Sequence, residues 1–348
     1  MCARHSDFTV AVLIVNWNAG PLLERCLASL AAQRRRADRV IVVDNASSDD
    51  SLALAHERLH ATEVIRLREN VGFARANNIA ARAAADADAY ALLNPDAFPE
   101  PEWLHALLMA AERRPDVAAF ASRMLLDAAP QYLDGAGDSY HVSGRAWRIG
   151  HGRADGPSAA SEREVFAPCA AAALYRRAAF DDVGGFDERY FCYFEDVDLG
   201  FRLRLRGHRA LYVPDAVVHH VSSALSGYRS DFAVYHGERN AVWTFVKNMP
   251  AALMWRYLPQ HLLLNAAALL FYPWRGQGRV VWRAKRDALL GLKPVLAERR
   301  HVQQRRRVTR EALRGSMVRG LLAPYVGRYS GGRMDPGAAG RGASETAE

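Results

Sequence analysis

The sequence predicts an α/β fold: a doubly wound, mostly parallel sheet followed by a basic helical extension. Three observations predict it. Short apolar runs, suited to strands buried on both faces, alternate with segments of helical periodicity. Three strand ends carry polar clusters, Asn16/Asn18, Asp44/Asn45 and Asn94/Asp96, where ligands of such sheets bind. Charge is divided, with 18 Lys/Arg against 3 Asp/Glu in residues 247–333 of a chain whose net charge is +8.

Residues 10–15 are the first apolar run, broken by Asn16-Trp17-Asn18-Ala19-Gly20-Pro21. Leu22, Leu23, Cys26, Leu27 and Leu30 then recur at helical spacing. Residues 39–43 form a second strand ending at Asp44-Asn45-Ala46-Ser47-Ser48-Asp49, and residues 64–67 a weaker third. Asn70-Val71-Gly72-Phe73 turns the chain into an alanine-rich helix over residues 74–85. Residues 90–93 are a fourth strand, ending at Asn94-Pro95-Asp96. Right-handed connections between such units give a parallel sheet. No GxGxxG or GxxxxGKS follows any strand, so side chains and a metal would have to hold a nucleotide. Asp44 suits a base N–H or a ribose hydroxyl, or equally an Asx-turn. Arg75 could reach a diphosphate or simply be solvated. Pro95 halts its strand and projects Asp96 past the sheet edge, where it suits a hard divalent cation or caps the helix near Pro101.

Residues 122–164 are punctuated by glycine and read as short strands and a mobile loop over the cleft. Tyr140 and Trp147 could stack on a sugar there, or pack beneath the loop. Residues 165–175 read as one strand of small side chains. Next come Phe186-Asp187-Glu188-Arg189 and an aromatic run from Tyr190 to Phe194. Glu195, Asp196 and Asp198 follow at once, in the first turn of a helix stopped by Gly207. Carboxylates packed against rings are dried and repel one another, which raises a pKa toward that of a general base. The alternative is a capped helix start with solvated acids.

Residues 231–248 read as a helix. Residues 257–274 carry no formal charge, but Pro259, Gln260, His261 and Asn265 leave apolar stretches shorter than the ~18–20 residues of a spanning helix. An interfacial segment is expected, with Trp255, Tyr257, Tyr272 and Trp274 at headgroup level and Arg275, Arg279, Arg283, Lys285 and Arg286 facing anionic lipid. The alternative is a basic helix packed on the catalytic domain or on a partner subunit. Residues 331–348 read as a disordered tail. Cys2, Cys26, Cys169 and Cys192 have no paired spacing, which argues against a disulfide framework or zinc site and fits a reducing compartment. Residues 1–7 have no apolar core of a signal peptide. Expected domains are residues 1–250, catalytic; 251–330, the basic extension; and 331–348, the tail.

Six motifs occur in order: Val12-Leu13-Ile14-Val15-Asn16-Trp17-Asn18, Val42-Val43-Asp44-Asn45-Ala46-Ser47-Ser48-Asp49, Asn70-Val71-Gly72-Phe73, Leu93-Asn94-Pro95-Asp96, Gly184-Gly185-Phe186-Asp187-Glu188 and Tyr193-Phe194-Glu195-Asp196-Val197-Asp198-Leu199. Together they resemble the inverting GT-A glycosyltransferases of family 2, in the bacterial rhamnosyltransferase and galactofuranosyltransferase-like branch, over roughly residues 9–250. The resemblance implies Asp196 as general base with Glu195 beside it, and Asp44 on the nucleotide base. It implies Asn16, Asn18, Asn45, Gly72, Arg75, Asn78 and Asn94 along the nucleotide sugar. It implies Asp96 and His220, preferred to His219, on Mg²⁺ or Mn²⁺, and Phe186, Asp187 and Tyr193 facing the acceptor. One departure stands out: Asn94 replaces the first acid of the family's DxD element and contributes no charge.

The implied partners are a dTDP- or UDP-linked sugar, with rhamnose favoured by the likeness, a lipid-linked or polysaccharide acceptor, and an anionic membrane surface. The implied location is cytoplasmic, peripheral on the inner face of the bacterial plasma membrane. Two rival readings are a nucleic-acid-binding protein and a catalytically silent nucleotide-sugar binder. The first lacks any helix-turn-helix, RRM or zinc element, so no nucleic acid is expected. The intact acid cluster speaks against the second.

Overall fold

The computed structural model describes residues 8–60, 62–222, 230–321 and 323. Its strands are β1 (Val10–Asn16), β2 (Arg39–Asp44), β3 (Glu63–Arg66), β4 (Ala89–Leu93), β5 (Ala97–Pro99), β6 (Val117–Leu126), β7 (Ala129–Gly135), β8 (Asp138–Tyr140), β9 (Ala146–Arg148), β10 (Arg163–Val165), β11 (Ala172–Arg176) and β12 (Arg209–His220). Its helices are α1 (Pro21–Ala31), α2 (Ser51–Leu54), α3 (His56–Leu59), α4 (Phe73–Ala83), α5 (Trp103–Arg113), α6 (Arg177–Asp182), α7 (Glu195–Arg206), α8 (Asp231–Asn248), α9 (Ala251–Phe271), α10 (Gly278–Leu290), α11 (Leu292–Gln304) and α12 (Arg310–Gly315).

The central sheet runs β10-β12-β6-β11-β4-β1-β2-β3. Its first half, β3-β2-β1-β4, is parallel, as the alternating pattern requires. Successive side chains of β1 serve opposite cores. Val10, Val12 and Ile14 join the α1 and α5 layer, with Leu23, Trp103 and Leu107. Ala11, Leu13 and Val15 join the α4 and α7 layer, with Ala76, Ala80, Leu199 and Leu203. The second half is mixed: β11 enters antiparallel between β4 and β6, and β12 lies parallel to β6.

One sequence expectation is corrected here, and two others are narrowed. Residues 165–175 are not one strand. The stretch divides into β10 and β11, and residues 166–171 between them carry backbone to the acid cluster. The glycine-rich middle is largely regular, holding β6, β7 and the β8–β9 hairpin. Tyr140 packs rather than facing a sugar: it is fully buried, stacked on Phe166 and edge-on to Phe201. His219 and His220 lie within β12, which continues past a register shift between Val213 and Val217.

Helix α8 begins at a Ser230 cap that accepts from the Ala233 N–H at 3.2 Å. Its buried Trp243 and Phe245 join it to α10, α11 and α7. Helix α9 runs through Pro259 and the polar interruptions. Among the described residues, no helix is long and apolar enough to cross a membrane. Residues 1–7 and 331–348, read above as leaderless start and tail, lie outside the described residues.

Candidate active site

The three acids of the α7 first turn stand in three different environments. Asp198 is fully buried and bound by Lys247 at 2.8 Å, Arg202 at 2.8 Å, Asn248 at 2.7 Å and the Tyr190 hydroxyl at 3.1 Å. Burial pushes its pKa up, but Lys247 and Arg202 outweigh burial and hold it below the usual range. It is a structural anchor. Glu195 is buried, and its pKa is driven well above the usual range, first by burial and then by Asp196. Its protonated form is therefore favoured. Asp196 alone is half-buried; its Oδ2 accepts from the Ala170 N–H at 3.2 Å and its Oδ1 from the Val197 N–H at 2.8 Å.

The approach to this turn is strained. Phe191, Tyr193 and Phe194 all have positive φ, between 64° and 68°, at a cost of about 1–3 kcal/mol each. The buried Asn240 amide holds the segment by donating to the carbonyls of Tyr190, Cys192 and Tyr193. Phe191 stacks on His236 with centroids 5.3 Å apart. The aromatic run is thus a clamp on the backbone that aims Asp196.

A second cluster gathers where β4 ends. His220 Nδ1 lies 2.8 Å from Asp134 Oδ2, and His220 Nε2 lies 3.3 Å from Asp96 Oδ1. Arg148 closes on Asp134 at 2.5 Å and His151 at 3.3 Å. Burial pushes the His220 pKa down, but Asp134 and Asp96 reverse this and raise it to about 9. Burial opposes the Asp134 charge, yet Arg148, His151 and His220 hold that carboxyl below the usual range. This cluster and the acid turn meet on one segment. The Asn94 N–H donates to the Ala171 carbonyl at 2.9 Å, and the neighbouring Ala170 N–H is the one bound by Asp196.

The donor set fits a cation. Asn94 Oδ1, Asp96 Oδ1 and His220 Nε2 are buried and lack hydrogen-bond partners. A cation would displace the proton from His220 Nε2 while the Nδ1–H stays on Asp134, the usual second-shell arrangement of a metal-bound histidine. Carboxylate, amide oxygen and imidazole suit Mg²⁺ or Mn²⁺. A different group, Asp138, Cys169 and Asp196, has its ligand atoms within 4.8 Å of one another. Burial drives the Cys169 thiol well above its ordinary pKa, which makes that group a poor home for a hard cation.

The other predicted residues divide. Asp44 is buried at the end of β2 and accepts from Asn16 Nδ2 at 2.9 Å. Asn18 Oδ1 accepts from the Ser48 N–H at 2.8 Å. Asn45 donates to Asn70 Oδ1 and accepts from the Val71 N–H, both at 2.9 Å. Gly72 has φ 84° and leads into α4. Arg75 is largely exposed, 3.5 Å from Glu188. Asn78 is buried and spent on the Phe186 backbone, N–H and carbonyl both. Phe186 is 2 % exposed, edge-on to Phe180 and Phe73, so it offers no ring to an acceptor. Asp187 is closed off by Lys247 and Arg189. Tyr193 is half-buried and edge-on to Phe232, with centroids 6.2 Å apart. Sequence reasoning missed Asp134, Asp138 and Cys169. The available signal was Asp134-Gly135-Ala136-Gly137-Asp138, two acids flanking glycines that let neighbouring strands close in. A Cβ at Gly135 would lie 2.3 Å from Arg148, and one at Gly137 would lie 2.8 Å from Val165.

A curled α/β sheet with acids beyond its strand ends is the architecture of a GT-A glycosyltransferase. The fold is similar to that of a mannosyltransferase from Pyrobaculum calidifontis solved with GDP-Man and Mn²⁺ (TM-score 0.51, 19% identity, 90% of this chain and 88% of that one). It is also similar to that of GalNAc-T7 solved with UDP, GalNAc and Mn²⁺ (TM-score 0.59, 15% identity, 74% of this chain and 50% of that one). Residues 7–245 match the family described as "Glycosyltransferase like family 2", and the chain belongs to it. Its relatives include the N-acetylglucosaminyl-diphospho-decaprenol L-rhamnosyltransferase of Mycobacterium tuberculosis, 33% identical over 67% of this chain and 85% of that one. They also include the O-antigen chain rhamnosyltransferase RfbN of Salmonella typhimurium, 25% identical over 61% of this chain and 66% of that one.

Proposed function

We propose that this enzyme moves a sugar, rhamnose foremost, from a dTDP- or UDP-linked donor to a hydroxyl of a lipid-linked or cell-surface glycan, with inversion. The observation that carries the mechanism is that Asp196 is the accessible acid of the α7 turn, while Glu195 is closed in and favours its proton and Asp198 is neutralised. Asp196 takes the acceptor's hydroxyl proton as that oxygen bonds to the anomeric carbon and the bond from that carbon to the diphosphate breaks. The nucleoside diphosphate leaves from the opposite face. Asp44 and its neighbours hold the nucleotide. Asp96, His220 and Asn94 would hold Mg²⁺ or Mn²⁺, which supplies positive charge to the departing diphosphate. Asp196→Asn is expected to abolish transfer and leave nucleotide-sugar binding near wild type. Wild-type transfer by that variant would remove Asp196 as the base. A panel of thymidine, uridine and guanosine diphosphate sugars, read by turnover, identifies the donor.

The catalytic unit ends near residue 250, and α9–α11 form an extension that rests on the inner face of the plasma membrane. Exposed Trp255, Leu270, Phe271, Trp274, Trp282 and Leu290 support this reading, with Arg275, Arg279, Arg283 and Arg286 on the same helices and turn. Sedimentation with anionic vesicles, weakening with salt, is expected. Equal binding to neutral vesicles, or binding to oligonucleotides alone, would overturn it.

A further inference from the structure

Strand β8 sets a second carboxyl beside that of Asp196, and the mechanism above gives it no task. Asp138 has its carboxyl within 4.8 Å of both the Asp196 carboxylate and the Cys169 sulfur. It is 6 % exposed. Its backbone is pinned on both sides, its N–H donating to the Ala167 carbonyl at 2.8 Å and its carbonyl accepting from the Phe166 N–H at 3.0 Å. Gly137, at φ 81°, allows the close approach to Val165 that this placement needs. The charged and titratable groups around Asp138 come from every neighbouring element: Asp196 and Glu195 from α7, Cys169 from the 166–171 segment, Arg148 from β9, Asp134 from β7 and Tyr175 from β11. The one cation among them, Arg148, is held by Asp134 at 2.5 Å.

We propose that Asp138 is a positioning residue for transfer, its carboxyl coupled through space to that of Asp196, so that the doubly ionised pair is the form that accepts the acceptor's proton. The idea rests on Asp196 being the base. Two carboxylates at this separation resist ionising together, and their titration belongs to the pair. Burial and then the Asp196 charge push Asp138 up to about 7, with Arg148 opposing. A lone solvated aspartate, with a pKa of about 3.9, is a weak acceptor for a hydroxyl proton at neutral pH; the pair is a stronger one. The proton leaves the acceptor oxygen, stays on the pair while the nucleoside diphosphate departs, and is then lost to solvent.

The test is a ¹³C titration of the aspartate carboxyls in the full chain. One carboxyl is expected to titrate near pH 7. That signal should vanish in Asp138→Asn and fall by at least about one pH unit in Asp196→Asn. In single-turnover transfer with the donor found by the panel, the acid limb of Asp138→Asn should shift downward by more than one pH unit, with a plateau about ten- to a hundredfold lower and donor affinity within twofold. Asp138→Glu should bring part of the limb back. If no aspartate titrates above pH 5.5, or if the high titration is unmoved in Asp196→Asn, the pairing is wrong; the second variant decides even where Asp138→Asn fails to fold. An inactive Asp196→Asn with an unmoved limb in Asp138→Asn overturns only this proposal. A fully active Asp196→Asn overturns the base assignment itself.

Discussion

Two polar clusters lie at strand ends, and they are built in opposite ways. At the ends of β1 and β2, Asn16, Asn18, Asp44 and Asn45 are bonded mainly to one another and to the turns beside them. Asn16 Oδ1 is the one fully buried side-chain atom of that set without a partner among the described residues. At the end of β4, Asn94, Asp96 and His220 each hold back a buried atom. An unmet buried polar atom costs about 1–3 kcal/mol, so the second cluster is a standing cost that a bound cation would relieve. The first cluster is a shaped wall; the second is a set of buried ligand atoms. Internal satisfaction separates the residues that give a pocket its outline from those that grip what enters it.

Four measurements would break or sharpen this contrast. The largest effect is expected from Asp96→Ala, which should cost about a thousandfold in transfer and abolish Mn²⁺ binding read by electron paramagnetic resonance. Unchanged Mn²⁺ affinity would mean that the orphaned atoms serve something else. Asp134→Ala removes the acceptor that orients His220, and a metal-affinity loss of about 10–100-fold is expected by titration calorimetry. The histidines give a pH form of the same contrast. His220 is favoured as the charged imidazolium by two carboxylates, whereas His261, stacked 4.0 Å from Phe245 and bonded to the Ser143 carbonyl, is lowered to about 4 by burial. A neutral native histidine means that the unfolded chain binds the extra proton between about pH 6.5 and 4, so stability should fall as pH drops through that window, by on the order of 2–3 kcal/mol. Thermal melts of His261→Gln should flatten this slope. The smallest functional effect belongs to the satisfied cluster: Asn45→Ala should lower stability by about 1–3 kcal/mol and shift the donor KM less than tenfold.

The parallel half was legible because burial on both faces leaves continuous apolar runs that local reading can find. The α7 turn was legible because aromatic residues next to three acids leave few other outcomes. Which acid does what was not legible. Asp198 is neutralised by Lys247, 49 positions away, and Phe186 is withdrawn into a core made by α4 and α6. The strand expected over residues 165–175 failed because runs of alanine suit either a strand or a segment whose backbone is needed elsewhere. Asp134 and Asp138 escaped notice because their meaning depends on partners from β9, α7 and β12 brought together by tertiary structure.

The tight fit at Gly72 bears on how such enzymes can be recombined. A Cβ there would lie 2.6 Å from the Phe191 ring, and the Ala74 N–H donates to the Phe191 carbonyl at 3.1 Å. Two loops more than a hundred residues apart are therefore one mechanical joint. A chimera that imports another family member's donor-recognising half must bring position 191 with it. A crossover placed between them would pair mismatched surfaces and lose the fold before specificity could be read.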